Sequence, residues 1–436
     1  MNDKLSKVIY VKGKLILLSP LLLGSGQDEN SDTDLLRDWE GKPFIPGTSL
    51  AGAARDYLEK NIADQKLIET IFGRKPKENE DSTQSLIYFY DAELIGDRPK
   101  IQIRDGLEID NLTKTAKERT KYDYEVLERG NKFSFRIEMA LRKDKYSPSQ
   151  IEEVLYLLLT ALKEGKIKIG AKTRRGFGKV KLSDLQLLTL DINKSEERKR
   201  WIDFDWNFKG NPKLEDLNHN LLEKKELPIT SIKVRFSLPY SLIIKHYSSD
   251  PEIEDMVHLY SAGNPVIPGT SWTGALRHAI ENIAREINKQ QKIENLIKEL
   301  FGEVKKENGE KKASRIYIEE SIVENVRLAS YTRNKVDRFT GGVVESALFD
   351  EAPIFNQGEA RAELNIQIES ATDEEIGLVL LGIRELWYGL QSVGGDANIG
   401  RGILKGEQLF INNKQINFLE NEDKHYLDAL TRYLRS

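Results

Sequence analysis

The stretch "KPFIPGTSLAGAARDYLE", Lys42 to Glu59, returns as "NPVIPGTSWTGALRHAIE", Asn264 to Glu281, so the Ile-Pro-Gly that starts at 45 starts again at 267. Alone it reads as a tight Pro-Gly turn, a Thr or Ser N-cap, and a helix. The rest of the chain keeps pace with it. "LIETIFG" ends at Gly73 and "LIKELFG" at Gly302, and "SLIYFYDAEL" from Ser85 matches "SRIYIEESIV" from Ser314. Asp110, Glu118 and Asp123 fall opposite Asp337, Glu345 and Asp350, and "GAKTRRGFG" from Gly170 falls opposite "GGDANIGRG" from Gly394. Ordered matches at nearly constant offset mark a tandem duplication, and the period is that of a whole domain rather than a solenoid repeat.

Each repeat reads as strand, helix, strand, loop-rich hairpin, strand, helix, strand. In the first, "KVIYVKGKLILL" alternates, "SLAGAARDYLEKNI" has helical spacing, and "NKFSFRIEMAL" alternates again. The best-signalled helix is "SPSQIEEVLYLLLTALKEG", with Ser147 as cap, Pro148 in the first turn and Gly165 at its end. The expected fold class is α+β: two tandem ferredoxin-like, RRM-like domains with inserted thumb hairpins and glycine-rich loops. The expected boundaries are 1–190 for the first domain, 191–227 for a polar linker and 228–436 for the second, with a last helix closing the chain.

With 39% hydrophobic and 31% charged residues over 436 positions, the chain can bury two cores of ordinary size. No apolar run approaches the roughly 20 residues that span a bilayer, so no membrane partner is expected. The absence of cysteine rules out disulfides and thiolate metal sites, which makes a cytoplasmic location the expectation. A net charge of -4 argues against general polyanion binding, so any nucleic-acid surface must be a local patch.

One such patch stands out. "KIKIGAKTRRGFGKVKL", Lys166 to Leu182, holds seven basic residues, Lys172, Arg174 and Arg175 among them, and no acidic one. Glycines let a backbone approach phosphate, and the cations supply charge-assisted bonds; the alternative is a glycine-rich turn beside a solvated strand. The second loop offers Arg401 beside an acidic Asp396, a weaker electrostatic case. The segments after Asp110 and Asp337 are long polar loops. Leu112, with Lys114 next to it, and Phe339 stand near their tips, where an apolar side chain can wedge between bases or tuck back on its own domain. The five histidines form no ligand pattern, and His258 has no counterpart in the first repeat. Acidic loops precede both Ile-Pro-Gly motifs, with Asp32 and Asp34 in the first and Asp255 in the second. Carboxylates there can recruit a hydrated divalent ion to a phosphodiester, though most acidic loops are merely solvated.

Taken together, "IPGTSLAGAAR" and "IPGTSWTGALR", "RDGLEID…KYDYEVL" and "TRNKVDRFTGG…ALFDEAPI", and the two glycine loops resemble the RAMP superfamily of CRISPR effectors. More narrowly they resemble the backbone subunit of type III complexes, fused as a tandem. The resemblance implies domains that line up along a guide RNA (crRNA), thumbs wedged between nucleotides, and metal-dependent cleavage of bound target RNA, with Mg²⁺ or Mn²⁺ as the ion. By motif the catalytic and metal-binding positions fall on Asp34 and Asp255. Asp32 competes with Asp34, because "DTDLLRD" is shorter than the usual pattern and lacks its proline; "DMVHLYS" lacks the closing Arg-acid pair. Guide contacts fall on Ser49, Arg55, Ser271 and Arg277 at the helix starts, on Leu112, Lys114 and Phe339, and on Lys172, Arg174, Arg175 and Arg401. Expected partners are guide RNA, target RNA and the other subunits of such a complex. The alternatives are a non-cleaving scaffold and a guide-processing endoribonuclease, for which the histidines offer little.

Overall fold

The structure is a computed structural model that describes residues 4–24, 33–74, 84–113, 115–118, 120–142, 146–225, 227–247, 254–304, 311–345, 348–420 and 422–436. Alternation builds the first sheet. In β1 (Leu5–Leu17), Ile9, Val11, Leu15 and Leu17 enter the main core while Val8 and Tyr10 face the other way. The chain continues through α1 (Gly47–Asn61), α2 (Gln65–Phe72) and β2 (Ile87–Phe89), then a hairpin of β3 (Ile101–Gly106) and β4 (Tyr122–Leu127). After it come β5 (Lys132–Arg142), α3 (Pro148–Lys163), β6 (Val180–Asp191) and α4 (Ser195–Ile202). The sheet order is β2–β5–β1–β6 with every neighbour antiparallel, the ferredoxin-like arrangement; Ile9 lies between Met139 and Thr189. The capping box at Ser147 and Gln150 starts α3 as its sequence requires. That helix buries Ile151, Leu155 and Leu158 against the sheet.

The stretch 191–227 does more than join the repeats. Phe204 stacks on Tyr10 with ring centroids 3.6 Å apart, Trp206 meets Tyr10 edge-on, and Lys12 Nζ lies 4.4 Å from the Phe208 ring centre. The Lys12 ammonium also donates to the Trp206 carbonyl at 2.6 Å. Farther on, the backbone N–H groups of Leu221 and Leu222 donate to the buried Glu153 carboxylate. The linker therefore covers the sheet face that the helices leave open. In the first unit, aromatic side chains of its own chain occupy part of that face.

The second unit runs β7 (Ile229–Ser237), β8 (Lys245–Tyr247), β9 (Met256–His258), β10 (Asn264–Ile267), α5 (Gly269–Glu286) and α6 (Gln290–Phe301). It continues with β11 (Ile316–Ile318), β12 (Ser321–Leu328), β13 (Tyr331–Arg333), β14 (Phe349–Ala352), β15 (Ile354–Glu369), α7 (Asp373–Trp387), β16 (Lys405–Ile411) and α8 (Lys424–Arg435). The order β11–β15–β7–β16 repeats that of the first sheet. A small separate sheet, β8–β9–β14–β13, forms beside it. Here the open face is polar, with Lys233 and Arg235 of β7 close to Glu363 of β15.

Packing divides the molecule between Leu227 and Pro228, but not cleanly. Arg104–Tyr122 and Arg174–Gly176, which belong to the first repeat in sequence, pack with the second unit. No helix among the described residues is long and apolar enough to cross a membrane.

Candidate RNA interface

The repeated Ile-Pro-Gly motif starts each first helix earlier than the sequence reading has it. Pro46 and Pro268 are the N-caps, neither helix has a side-chain cap, and Gly47 and Gly269 are the first helical residues. The glycines are required by close approach. A Cβ at Gly47 would collide with the Phe89 carbonyl, and one at Gly269 would collide with the carbonyls of Ile318 and Arg175. The Gly47 N–H donates to Asp91 Oδ1 at 2.7 Å, so a carboxylate of its own unit already answers this helix terminus. Glu320 holds the matching position in the second repeat. Its carboxylate instead accepts from Arg104 Nη1 at 2.6 Å, with the two side chains only 2% and 9% exposed.

Ser49 and Ser271 lie half-buried in the first helical turns. Arg55 pairs with Glu59 at 2.7 Å and Arg277 with Glu281 at 2.9 Å, each one turn along its own helix. Exposed pairs of this kind are worth only about 0.3–0.5 kcal/mol, so both guanidinium groups can exchange a carboxylate for a phosphate.

The thumb tips are built identically. Asp110 Oδ1 accepts from the N–H groups of Leu112 and Thr113 and from the Thr113 hydroxyl; Asp337 Oδ1 accepts from Phe339, Thr340 and the Thr340 hydroxyl. These bonds, led by the Thr113 and Thr340 N–H groups, hold both carboxyls below their usual range. The turns fix an apolar side chain in the open: Leu112 is 75% exposed and Phe339 99%. Asn111, beside Leu112, donates to Glu281 of α5 at 3.0 Å. Lys114 lies outside the described residues.

The glycine loops share a backbone but not a chemistry. Gly178 and Gly402 both have positive φ, and a Cβ at either would strike a carbonyl of its own unit, at Ile169 or Val393. Close chain packing by itself requires glycine at both positions. Lys172 and Asp396 correspond, with φ of 56 and 58. Lys172 Nζ lies 3.2 Å from the Tyr124 ring centre, while Asp396 pairs with Lys245 at 2.7 Å. Arg174 is engaged: Nη1 meets Glu369 Oε2 at 3.1 Å and its guanidinium lies 3.8 Å from the Tyr317 ring centre. Arg175 is exposed and has no ion pair among the described residues. Arg401, a guide contact by motif, is buried against Glu351 at 2.6 Å.

The two acidic loops also differ. Asp34 is 6% exposed. Its segment is fastened to β4: Glu125 accepts from the Leu35 N–H at 3.1 Å and from Arg37 Nη2, and the Glu125 N–H donates to the Thr33 carbonyl. Asp32 lies outside the described residues. Asp255 is exposed at the head of β9, and its Oδ2 accepts from the Asp350 N–H at 3.1 Å. Among the described residues no three His, Cys, Asp or Glu converge as a metal cage. His258 is inert. Fully buried, with Nδ1 accepting from the Ile244 N–H, its imidazole is pushed down to about 3 by desolvation.

The RAMP superfamily profile matches residues 14–181 and again 219–405. The chain belongs to the RAMP superfamily. Membership gives it a CRISPR-associated, RNA-binding role and accounts for the tandem of ferredoxin-like domains. No curated protein sequence matches the chain. Several residues of this RAMP tandem escape sequence reasoning: Tyr124 under Lys172, the Asp91 and Glu320 alternation, and Trp39. That indole stands almost wholly exposed on a turn tied by Asp38, which accepts from the Glu40 and Lys42 N–H groups. An aromatic residue between turn signals was its only mark.

Proposed function

We propose that this protein is a backbone subunit of a type III CRISPR effector complex, working in the cytoplasm, that holds guide RNA and cleaves complementary target RNA. The observation that carries the reading is the pair of thumb tips: two separate repeats use the same three hydrogen bonds to Asp110 or Asp337 to fix Leu112 or Phe339 in solvent. An exposed apolar residue on a preorganised turn suits insertion between nucleotides at a set interval. Arg55, Arg277 and Arg175 supply exchangeable or unpaired cations for phosphates, contacts that ignore sequence and so suit a guide of any spacer. Asp255, exposed beside the thumb of its own repeat, is the better placed of the two carboxylates to bring a hydrated divalent ion to a scissile phosphate.

The burial of Asp34 favours a second reading for the first unit, that of a scaffold whose loop does not cut. Incubating the assembled complex with matched target RNA and Mg²⁺ tests both. Two cuts one unit apart support cleavage by both loops, one cut supports an inactive first loop, and none leaves only a guide-holding scaffold.

A further inference from the structure

A histidine and an aspartate from different repeats meet beside the second acidic loop. His246 lies on β8, where it pairs across the hairpin with Val257 of β9. Asp255 stands two residues before Val257, just ahead of the first residue of β9. Asp105, near the end of β3, reaches the same place: His246 Nδ1 and Asp105 Oδ2 are 3.6 Å apart, with side chains 20% and 18% exposed. Lys121 Nζ lies 3.7 Å from Asp105 Oδ1 and 4.1 Å from the Tyr247 ring centre. Burial works to raise the Asp105 carboxyl, but His246 and Lys121 outweigh it and hold the group below its ordinary value. An ionised carboxylate facing Nδ1 favours the tautomer with its proton there. Nδ1 is buried facing Asp105, at a distance beyond a normal hydrogen bond, while part of the imidazole stays exposed. By the repeat offset, Thr332 of the second repeat stands where the first has Asp105.

We propose that His246, oriented by Asp105, is the general base for RNA cleavage at the second unit. This rests on the target-cleavage reading above. Nε2 takes the proton of the 2′-hydroxyl beside the scissile phosphate, and the 2′-oxygen bonds to phosphorus. The bond from phosphorus to the 5′-oxygen breaks, and that oxygen takes a proton from water. The imidazolium then returns its proton to the hydroxide so formed. The products are a 2′,3′-cyclic phosphate and a 5′-hydroxyl, with no net change in protons. Asp105 is a positioning residue, holding the tautomer and stabilising the imidazolium.

The test uses the assembled complex with guide, matched target RNA and Mg²⁺, and follows the cut assigned to the Asp255 loop. His246→Gly should slow that cut by about a hundredfold or more, the usual worth of a general base. Added imidazole should restore it. Target binding and any cut at the first unit should not change. His246→Gln, which keeps the side chain's bulk, should lose the cut without imidazole rescue while binding target normally. Asp105→Asn should slow the cut alone but add nothing to His246→Gly, because it acts through that ring. A second-unit cut at full rate in His246→Gly overturns the proposal, as does a loss that imidazole cannot restore or that only follows lost RNA binding. A wild-type complex that binds target and cuts nowhere overturns the cleavage reading itself.

Discussion

Arg401 and Glu351 form a buried ion pair, Nη2 to Oε1 at 2.6 Å with side chains 3% and 1% exposed, where the first repeat carries Phe177 and Tyr124. Those two rings sit 6.2 Å apart in a small apolar cluster with Leu22 and Val126. Both members of the contact differ together between the repeats. Arg333 adds a second cation at 2.6 Å from Glu351. Removing one partner of a buried pair strands the other charge, at a cost of roughly 3–5 kcal/mol. Glu351→Ala should lower stability by about that amount and Arg401→Ala by less, because Arg333 still pairs with Glu351. The double change Arg401→Phe with Glu351→Tyr should lose less than either, as urea unfolding of the purified protein would show. A double variant as unstable as the two single changes summed would mean that the contacts are not interchangeable.

The two arginines of the first glycine loop should separate. Arg174 is held by Glu369 and Tyr317, so Arg174→Ala should loosen the second unit more than it weakens RNA binding. Arg175 is exposed, and Arg175→Ala should reduce the salt slope of guide binding by about 0.7–0.9 for one lost phosphate contact. The effect should be similar for unrelated guides, measured by filter binding across a salt series.

Phe339→Ala should leave the melting temperature unchanged, because the ring touches no core, and should cost roughly 1–3 kcal/mol of RNA affinity if the ring stacks on a base. Asp337→Ala keeps the ring but releases the turn that aims it, so cut positions should blur. Sequencing of cleavage products distinguishes a blurred cut from a lost one.

Asp255→Ala should erase one cut while target binding persists, since a carboxylate facing phosphates adds little affinity. EDTA should abolish every metal-dependent cut. Asp34→Ala should matter less for chemistry and more for folding, because that side chain is buried.

The second unit should weaken in mild acid. His258 is neutral when folded, with its imidazole pushed down to about 3 against an ordinary value near 6.5. The unfolded chain therefore binds the extra proton first. Stability is full above about pH 6.5 and falls as pH drops toward 3, by at most about 1.4 kcal/mol per unit. His258→Gln should flatten that slope in a pH series of urea melts.

Much of this was legible in the sequence. The duplication, the strand order and the Ser147 cap follow from local alternation and capping, which a single sequence carries. What escaped depends on distant partners. Arg401 and Arg174 look like phosphate ligands until Glu351 and Glu369 appear beside them, 50 and 195 residues away. The linker looked like a polar spacer because its charges outnumber Trp201, Phe204, Trp206 and Phe208, yet those four rings pack on the first sheet. The His246 and Asp105 pair left no local spacing to read, since it spans two repeats.

The Arg104 and Glu320 bond has a consequence for how such a molecule is put together. It joins a residue of the first repeat to one of the second, and both are nearly sealed from water. Between separate chains, such a bond would form only at sufficient concentration and would have to distinguish one similar copy from another. On one polypeptide the tether supplies the concentration and leaves only one order in which the copies can follow each other. Covalent fusion thus settles, at synthesis, a question of sequence and stoichiometry that free subunits must answer by sorting.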